Sequence, residues 1–317
     1  MANIIQPENK IIIGTRSSDL ALWQANFIKK ELKKIYKNLI VELKLVKTKG
    51  DKILDVSLSK IGDKGLFTKE LEKALLTNQI DIAVHSLKDL QTEIPKGLKL
   101  TAVTKRHPVE DVLISRKKGT TIFDLHENAT VATGSLRRKS QLKHLRPDIN
   151  IVDLRGNVPT RIKKFLESDW NAIILARAGV ERLKMKKYIS SIIPIELMLP
   201  AVGQGALGLE INSKNKRVEE LLKPLNDEAT FIAAVTEREF LKTLEGGCQV
   251  PIGAYAQLKS NGLYFDGFVG SIDGSITFRK KVRGRKSDAS RIGRLLAKDL
   301  KKAGAAKVLD EIYKTSR

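Results

Sequence analysis

From residue 10 to residue 175 the sequence keeps returning to one pattern: an apolar run, a turn bearing glycine, serine or arginine, then apolar residues at helical spacing. Residues 10–14 form such a run, ending in Gly14-Thr15-Arg16-Ser17-Ser18-Asp19. Leu20, Trp23, Phe27, Ile28 and Leu32 then fall on one helical face, with Ser18 or Asp19 as the capping side chain. Residues 41–47 alternate as a second strand, 69–76 read as a helix and 80–84 as a buried strand. This alternation predicts an α/β protein with mostly parallel pairing. After Thr101 the pattern restarts: strands at 112–115, 130–133, 149–154 and 172–175, with helices at 137–145 and 158–166. Two such blocks predict two lobes with a cleft between them, and the Pro/Gly-rich stretch 193–208 reads as a crossing segment. Beyond about Glu228 a helix, three short alternating strands (254–259, 263–269, 275–282) and a terminal helix predict a small α+β third domain.

At 317 residues the chain is long for one hydrophobic core, which agrees with two or three domains. Its hydrophobic content of 42% and charged content of 30% are those of a soluble globular protein. No apolar run reaches membrane-spanning length, the first residues carry no signal-peptide core, and there is one cysteine; together these point to the cytoplasm. The formal net charge of +22 calls for an acidic partner. From Arg279 to the end, fourteen Lys/Arg stand against four acids, but with the spacing of an amphipathic helix (Ile292, Leu295, Leu296, Leu300), so that excess reads as a solvated face. Between Val131 and Phe165, nine Lys/Arg stand against Asp148 and Asp153 and are interleaved with glycines and turn residues, as in a binding site.

The chemistry gathers at strand ends, where open α/β sheets bind ligands. His85-Ser86-Leu87-Lys88-Asp89-Leu90 follows the 80–84 strand, and Asp89 beside Lys88 suits proton transfer, stabilisation of a cation, or a plain surface pair. Gly134-Ser135-Leu136-Arg137-Arg138 places backbone N–H groups at a helix start with two planar forks that match carboxylates. Leu154-Arg155-Gly156-Asn157-Val158-Pro159-Thr160-Arg161 repeats the device, Arg177 and Arg182 follow the 172–175 strand, and Arg16 occupies the equivalent turn near the start. As a set these arginines describe a site for a ligand carrying several carboxylates or phosphates. Cys248, within Leu244-Glu245-Gly246-Gly247-Cys248-Gln249-Val250-Pro251-Ile252-Gly253, is either a buried small hydrophobe or a reactive thiol on a bent loop. Gly203-Gln204-Gly205-Ala206-Leu207-Gly208 matches a dinucleotide fingerprint only superficially, since no clean strand precedes it. His85, His107, His126 and His144 have no metal-ligand spacing, and 5% aromatics is sparse for base stacking. An enzyme acting on a polyanion, a non-catalytic anion binder and a nucleic-acid binder all remain compatible with the residues alone.

Taken in order, the motifs resemble one family. They are Gly14-Thr15-Arg16-Ser17-Ser18 with Leu20-Ala21-Leu22-Trp23-Gln24-Ala25, Gly62-Asp63-Lys64-Gly65-Leu66-Phe67 with Lys69-Glu70-Leu71-Glu72, and His85-Ser86-Leu87-Lys88-Asp89. They continue with Ser135-Leu136-Arg137-Arg138, Leu154-Arg155-Gly156-Asn157 with Thr160-Arg161, Leu199-Pro200-Ala201-Val202-Gly203-Gln204-Gly205 and Gly246-Gly247-Cys248. Spread over residues 11–255, this ordered set resembles porphobilinogen deaminase, or hydroxymethylbilane synthase, of tetrapyrrole and heme biosynthesis. The resemblance implies an α/β protein with two lobes like those of type II periplasmic binding proteins and a small α+β C-terminal domain. Lobe 1 would take residues 1–104 and 206–223, lobe 2 residues 105–205, and the third domain residues 224–317.

The implied cofactor is a dipyrromethane held through a thioether to Cys248. The implied reaction condenses four porphobilinogens head to tail with loss of ammonia and then releases hydroxymethylbilane by hydrolysis. Asp89 matches the family's catalytic carboxylate. Lys88, Ser135, Arg137, Arg138 and Arg155 match cofactor contacts; Arg16, Ser18, Arg155, Arg161, Arg182, Lys64 and Phe67 match substrate contacts or the loop that covers the site. A monomer without metal, nucleic-acid or membrane partner is expected. Asp19, Gly134 and Pro159 depart from the family's usual residues, and Arg177 falls where relatives have a small apolar residue, so it is not carried over.

Overall fold

A computed structural model describes residues 9–48, 50, 65–247 and 250–315; Lys64 and Cys248 lie outside the described residues. Strand and helix alternate as expected: β1 (Lys10–Thr15), α1 (Asp19–Ile35), β2 (Ile40–Leu45), α2 (Lys69–Leu76), β3 (Ile82–Ser86) and β4 (Leu98–Val103). Then come β5 (Asp111–Ser115), β6 (Thr130–Ala132), α3 (Leu136–Leu145), β7 (Asn150–Val152), α4 (Val158–Leu166), β8 (Ala172–Ala176), α5 (Arg177–Arg182) and β9 (Ser191–Ile193). The rest comprises β10 (Leu207–Asn212), α6 (Lys216–Leu222), α7 (Glu228–Thr243), β11 (Ile252–Lys259), β12 (Gly262–Gly270), β13 (Thr277–Gly284), α8 (Ala289–Leu300) and α9 (Ala306–Thr315). The chain folds as two compact units and, among the described residues, changes unit after Lys105, Gly205 and Phe231.

The first unit holds a sheet of order β2-β1-β3-β10-β4. Its strands are apolar on both faces because both are covered. Ile11, Ile13, Ile82 and Val84 join Ile28 and Leu32 of α1 in one cluster, whereas Ala83 joins Leu71 and Leu75 of α2 in another. Successive residues of a strand point to opposite faces, which is how one short run serves two cores. The second unit repeats the plan with order β7-β6-β8-β5-β9; Val131 and Ile174 pack with Leu142 of α3, and Ala132 and Ile173 with Ile162 and Phe165 of α4.

The mostly parallel expectation needs one correction in each sheet. β10 runs antiparallel to both β3 and β4, and β5 antiparallel to both β8 and β9. Each is the first strand after the chain enters its unit and lies between two strands of opposite direction. The two sheets thus share one strand order, as two similar α/β blocks in succession lead one to expect.

The second unit also contains the antiparallel sheet β11-β12-β13. Phe240 of α7, Phe265 of β12 and Leu296 of α8 centre its core. In place of the single terminal helix expected, α8 and α9 are separated by Lys301–Ala305, where Gly304 adopts φ 119°, a backbone conformation that L side chains rarely adopt.

Candidate active site

In the first unit the candidate residues sit at the carboxyl ends of two adjacent parallel strands, β1 and β3. β3 runs into a 3-10 turn, Leu87–Asp89, whose backbone is fastened by Leu87 N–H donating to Ala206 O (3.0 Å) and Leu90 N–H to Leu87 O (3.2 Å). Leu87 and Leu90 are buried, so the turn is anchored from within while Asp89 stands exposed and Lys88 is half-buried. Behind the turn, buried His85 pairs through Nε2 with Glu210 Oε2 at 3.0 Å. Burial, with Glu210 adding to it, pushes the nearby Glu72 carboxyl above its usual range. At the end of β1, the half-buried Arg16 guanidinium lies 4.1 Å from the centroid of the Phe67 ring, a cation–π contact. Ser18 caps α1 by accepting the Ala21 N–H (3.4 Å) and Asp19 lies in the first turn, which settles the capping alternative in favour of Ser18.

In the second unit, the turns and helices that follow β6, β7 and β8 carry the arginines, and these three parallel strands are neighbours. Ser135 caps α3 by accepting the Arg138 N–H (3.5 Å). Gly134 precedes it, and a Cβ there would stand 2.7 Å from the Leu154 carbonyl oxygen. Arg137 and Arg138 are buried and already face one carboxylate, that of Asp111, at 2.8 Å each. Arg155 is half-buried, its Nη2 is buried without a hydrogen-bond partner, and burial depresses its pKa. Asn157 caps α4, with Pro159 in the first turn where its missing N–H costs nothing; Arg161 Nε donates to Gly156 O at 2.7 Å. Arg182 is buried, donates through Nη2 to Gly205 O at 2.8 Å, and has its pKa pushed down to about 10 by burial. Arg177, which the resemblance does not carry over, pairs with Glu110 and Glu181.

The structure thus gathers Arg16, Ser18, Phe67, Lys88 and Asp89 at one strand-end edge, and Ser135, Arg137, Arg138, Arg155, Arg161 and Arg182 at another. Sequence reasoning singled out neither Asp111 nor Glu210, and gave Gln204 no role beyond its place in the 199–205 motif. An aspartate opening an apolar run was the one visible signal of the first. Among the described residues, no group of three or more His, Cys, Asp or Glu could hold a metal ion. The second edge offers arginine nitrogens, and its buried pair has more positive charge than its carboxylate cancels; such a site takes an anionic ligand with several oxygens.

Comparison with known proteins gives this arrangement its context. The family model described as porphobilinogen deaminase, dipyromethane cofactor binding domain, matches residues 11–220, and that described as porphobilinogen deaminase, C-terminal domain, matches residues 231–302. The porphobilinogen deaminase of Chloroherpeton thalassium is 52% identical over 306 residues, spanning 95% of this chain and 97% of that protein. That of Chlorobium luteolum is 52% identical over 312 residues (97% and 99%), and that of Carboxydothermus hydrogenoformans 48% identical over 305 residues (96% and 98%). With both family domains present in order and such identity from end to end, the chain belongs to the porphobilinogen deaminase family.

Proposed function

We propose that Asp89 handles the protons of the condensation, that Cys248 carries the dipyrromethane as a thioether, and that the strand-end arginines bind pyrrole carboxylates. The family's reaction is a transfer: four porphobilinogens join head to tail with loss of ammonia, and hydrolysis releases hydroxymethylbilane. The residues present fit a dipyrromethane, whose acetates and propionates are anionic. Arg137 Nε, Arg138 Nε and Arg155 Nη2 are buried donors without a protein partner, and burial disfavours the Arg155 charge unless an anion compensates it. Arg137, Arg138, Arg155, Lys88 and Ser135 would hold it. When bound, it supplies the nucleophilic pyrrole carbon to which the first substrate is joined.

Asp89 is exposed on a rigid turn, so its carboxylate can accept a pyrrole N–H hydrogen bond from the incoming substrate. As ammonia departs, positive charge develops on that substrate ring, and a fixed carboxylate stabilises it. The same oxygen can take up the proton released when the new carbon–carbon bond is complete. Arg16, held over Phe67, and Arg155, Arg161 and Arg182 would orient substrate carboxylates, with Ser18 as a further contact; Lys64 and Phe67 belong to the segment read as the site's cover. The finer expectations follow the same reading: three domains bounded as above, a monomer, and action in the cytoplasm, which suits a chain with one cysteine.

The observation that carries the proposal is the exposed carboxylate in the turn after β3, next to the strand that Arg16 directly follows. Asp89→Asn keeps the turn and its volume but removes the base. It should retain bound dipyrromethane by intact mass while kcat falls about 10²- to 10⁴-fold, the usual worth of general acid–base catalysis. Near-normal turnover would remove Asp89 from the chemistry.

A further inference from the structure

Arg137 and Arg138 are held in a frame of acceptors that the reaction as outlined leaves unused. Asp111, the first residue of β5, is 0% exposed. Its Oδ2 accepts from Arg137 Nη1 and its Oδ1 from Arg138 Nη2, both at 2.8 Å, and Gln204 Nε2 donates to Oδ1 at 3.0 Å. Main-chain carbonyls complete the frame: Arg137 Nη1 also donates to Leu199 O at 2.6 Å, and Arg138 Nη1 to Ile174 O at 3.0 Å.

The Leu199 carbonyl is itself fixed from both sides. Gln141 Nε2 donates to it at 3.1 Å, and Gln141 Oε1 accepts the Leu199 N–H at 2.8 Å. On the far side, the Ala254 N–H of β11 donates to Pro200 O at 3.0 Å. Gly253 lies so close that a Cβ there would stand 2.9 Å from Leu199 Cβ and 3.1 Å from its oxygen.

The charge count matters as much as the geometry. Two buried guanidiniums share one carboxylate, which leaves the cluster with one positive charge in excess. Burial alone would raise the Asp111 carboxyl, yet the two guanidiniums hold it well below the usual carboxylate range, so it stays ionised and the count stands. A buried excess charge is costly on its own and favours an anion. We propose that Asp111 and the Leu199 carbonyl are positioning groups that fix Arg137 and Arg138 in the orientation that receives a ligand carboxylate, while leaving them the excess charge that attracts it. The proposal rests on the assignment of these arginines to ligand carboxylates.

The test compares Asp111→Asn with Arg138→Gln in the full-length, cofactor-loaded enzyme, measuring KM, kcat, melting temperature and cofactor occupancy by intact mass. Asp111→Asn should fold, with KM raised about tenfold or more, or occupancy reduced, and kcat of the loaded fraction changed by less than about threefold. A purely structural role would lower the melting temperature and leave KM and occupancy of the folded enzyme at wild-type values, which would overturn the proposal. If Asp111→Asn yields no folded protein, Gly253→Ala decides, because it displaces the Leu199 carbonyl without touching a charge. A KM raised about threefold at unchanged kcat supports the frame, and wild-type kinetics contradict it. Wild-type KM and occupancy in Arg138→Gln would instead refute the arginine assignment. A raised KM there beside a wild-type Asp111→Asn would refute the frame alone.

Discussion

Buried charge is what sets the residues of this protein apart. Asp111 is compensated, and more than compensated, by Arg137 and Arg138, whereas Glu72 has Glu210 as a neighbouring acid and only partial relief from Thr68, His85 and Lys69. Burial first, and Glu210 after it, raise the Glu72 pKa, whereas at Asp111 the two guanidiniums outweigh burial, so the two carboxyls shift in opposite directions. Asp111 lies below its ordinary value, so its contribution to stability is present at neutral pH and is lost only in acid. Glu72 lies above its ordinary value of 4.5, so its protonated form is the one that suits the fold. Stability linked to Glu72 is fully present below that value and is lost as pH rises through the raised one. Glu72→Gln mimics the protonated form. Its melting temperature should exceed that of the wild type at pH 7 to 8 and converge on it below about pH 4; a constant offset across that range would mean Glu72 is not the titrating group.

Elements were legible where local chemistry decides them. α2 and α4 span the residues their spacing indicates, because each has an apolar stripe and α4 has its own cap in Asn157. That cap accepts the Thr160 N–H at 2.9 Å and the Thr160 hydroxyl at 2.7 Å, and it holds the turn between Arg155 and Arg161. Asn157→Ala should cost about 1 kcal/mol of stability, the usual worth of an N-cap, and raise KM through the loosened turn. An unchanged denaturation midpoint would show the cap to be dispensable. β4, β9 and β10 were not legible. β10 begins within the glycine-rich run 203–208, and its buried Glu210 interrupts the apolar pattern; its role is intelligible only beside His85, 125 residues away in sequence. The strand-end arginines could be named from sequence because their turns are local. The carboxylate that pairs two of them could not, since it lies 26 and 27 residues earlier, in a strand from a different part of the sheet.

For the molecule as a whole, the charge of +22 divides into two kinds. Part serves the strand-end turns. Another part lies on β13, the last strand in the order β11-β12-β13, where Arg279, Lys280, Lys281 and Arg283 are exposed. Charged side chains on an edge strand discourage pairing with another chain, so this portion needs no acidic partner to explain it. Cys248 is the chain's one cysteine, the residue type that the proposed thioether requires. The most direct test of the central claim is the intact mass of the active protein. The wild type should exceed its sequence mass by one dipyrromethane, and Cys248→Ser should lose both that excess and the activity. Active wild-type protein at the bare sequence mass, or a Cys248→Ser variant that keeps the added mass, would contradict it.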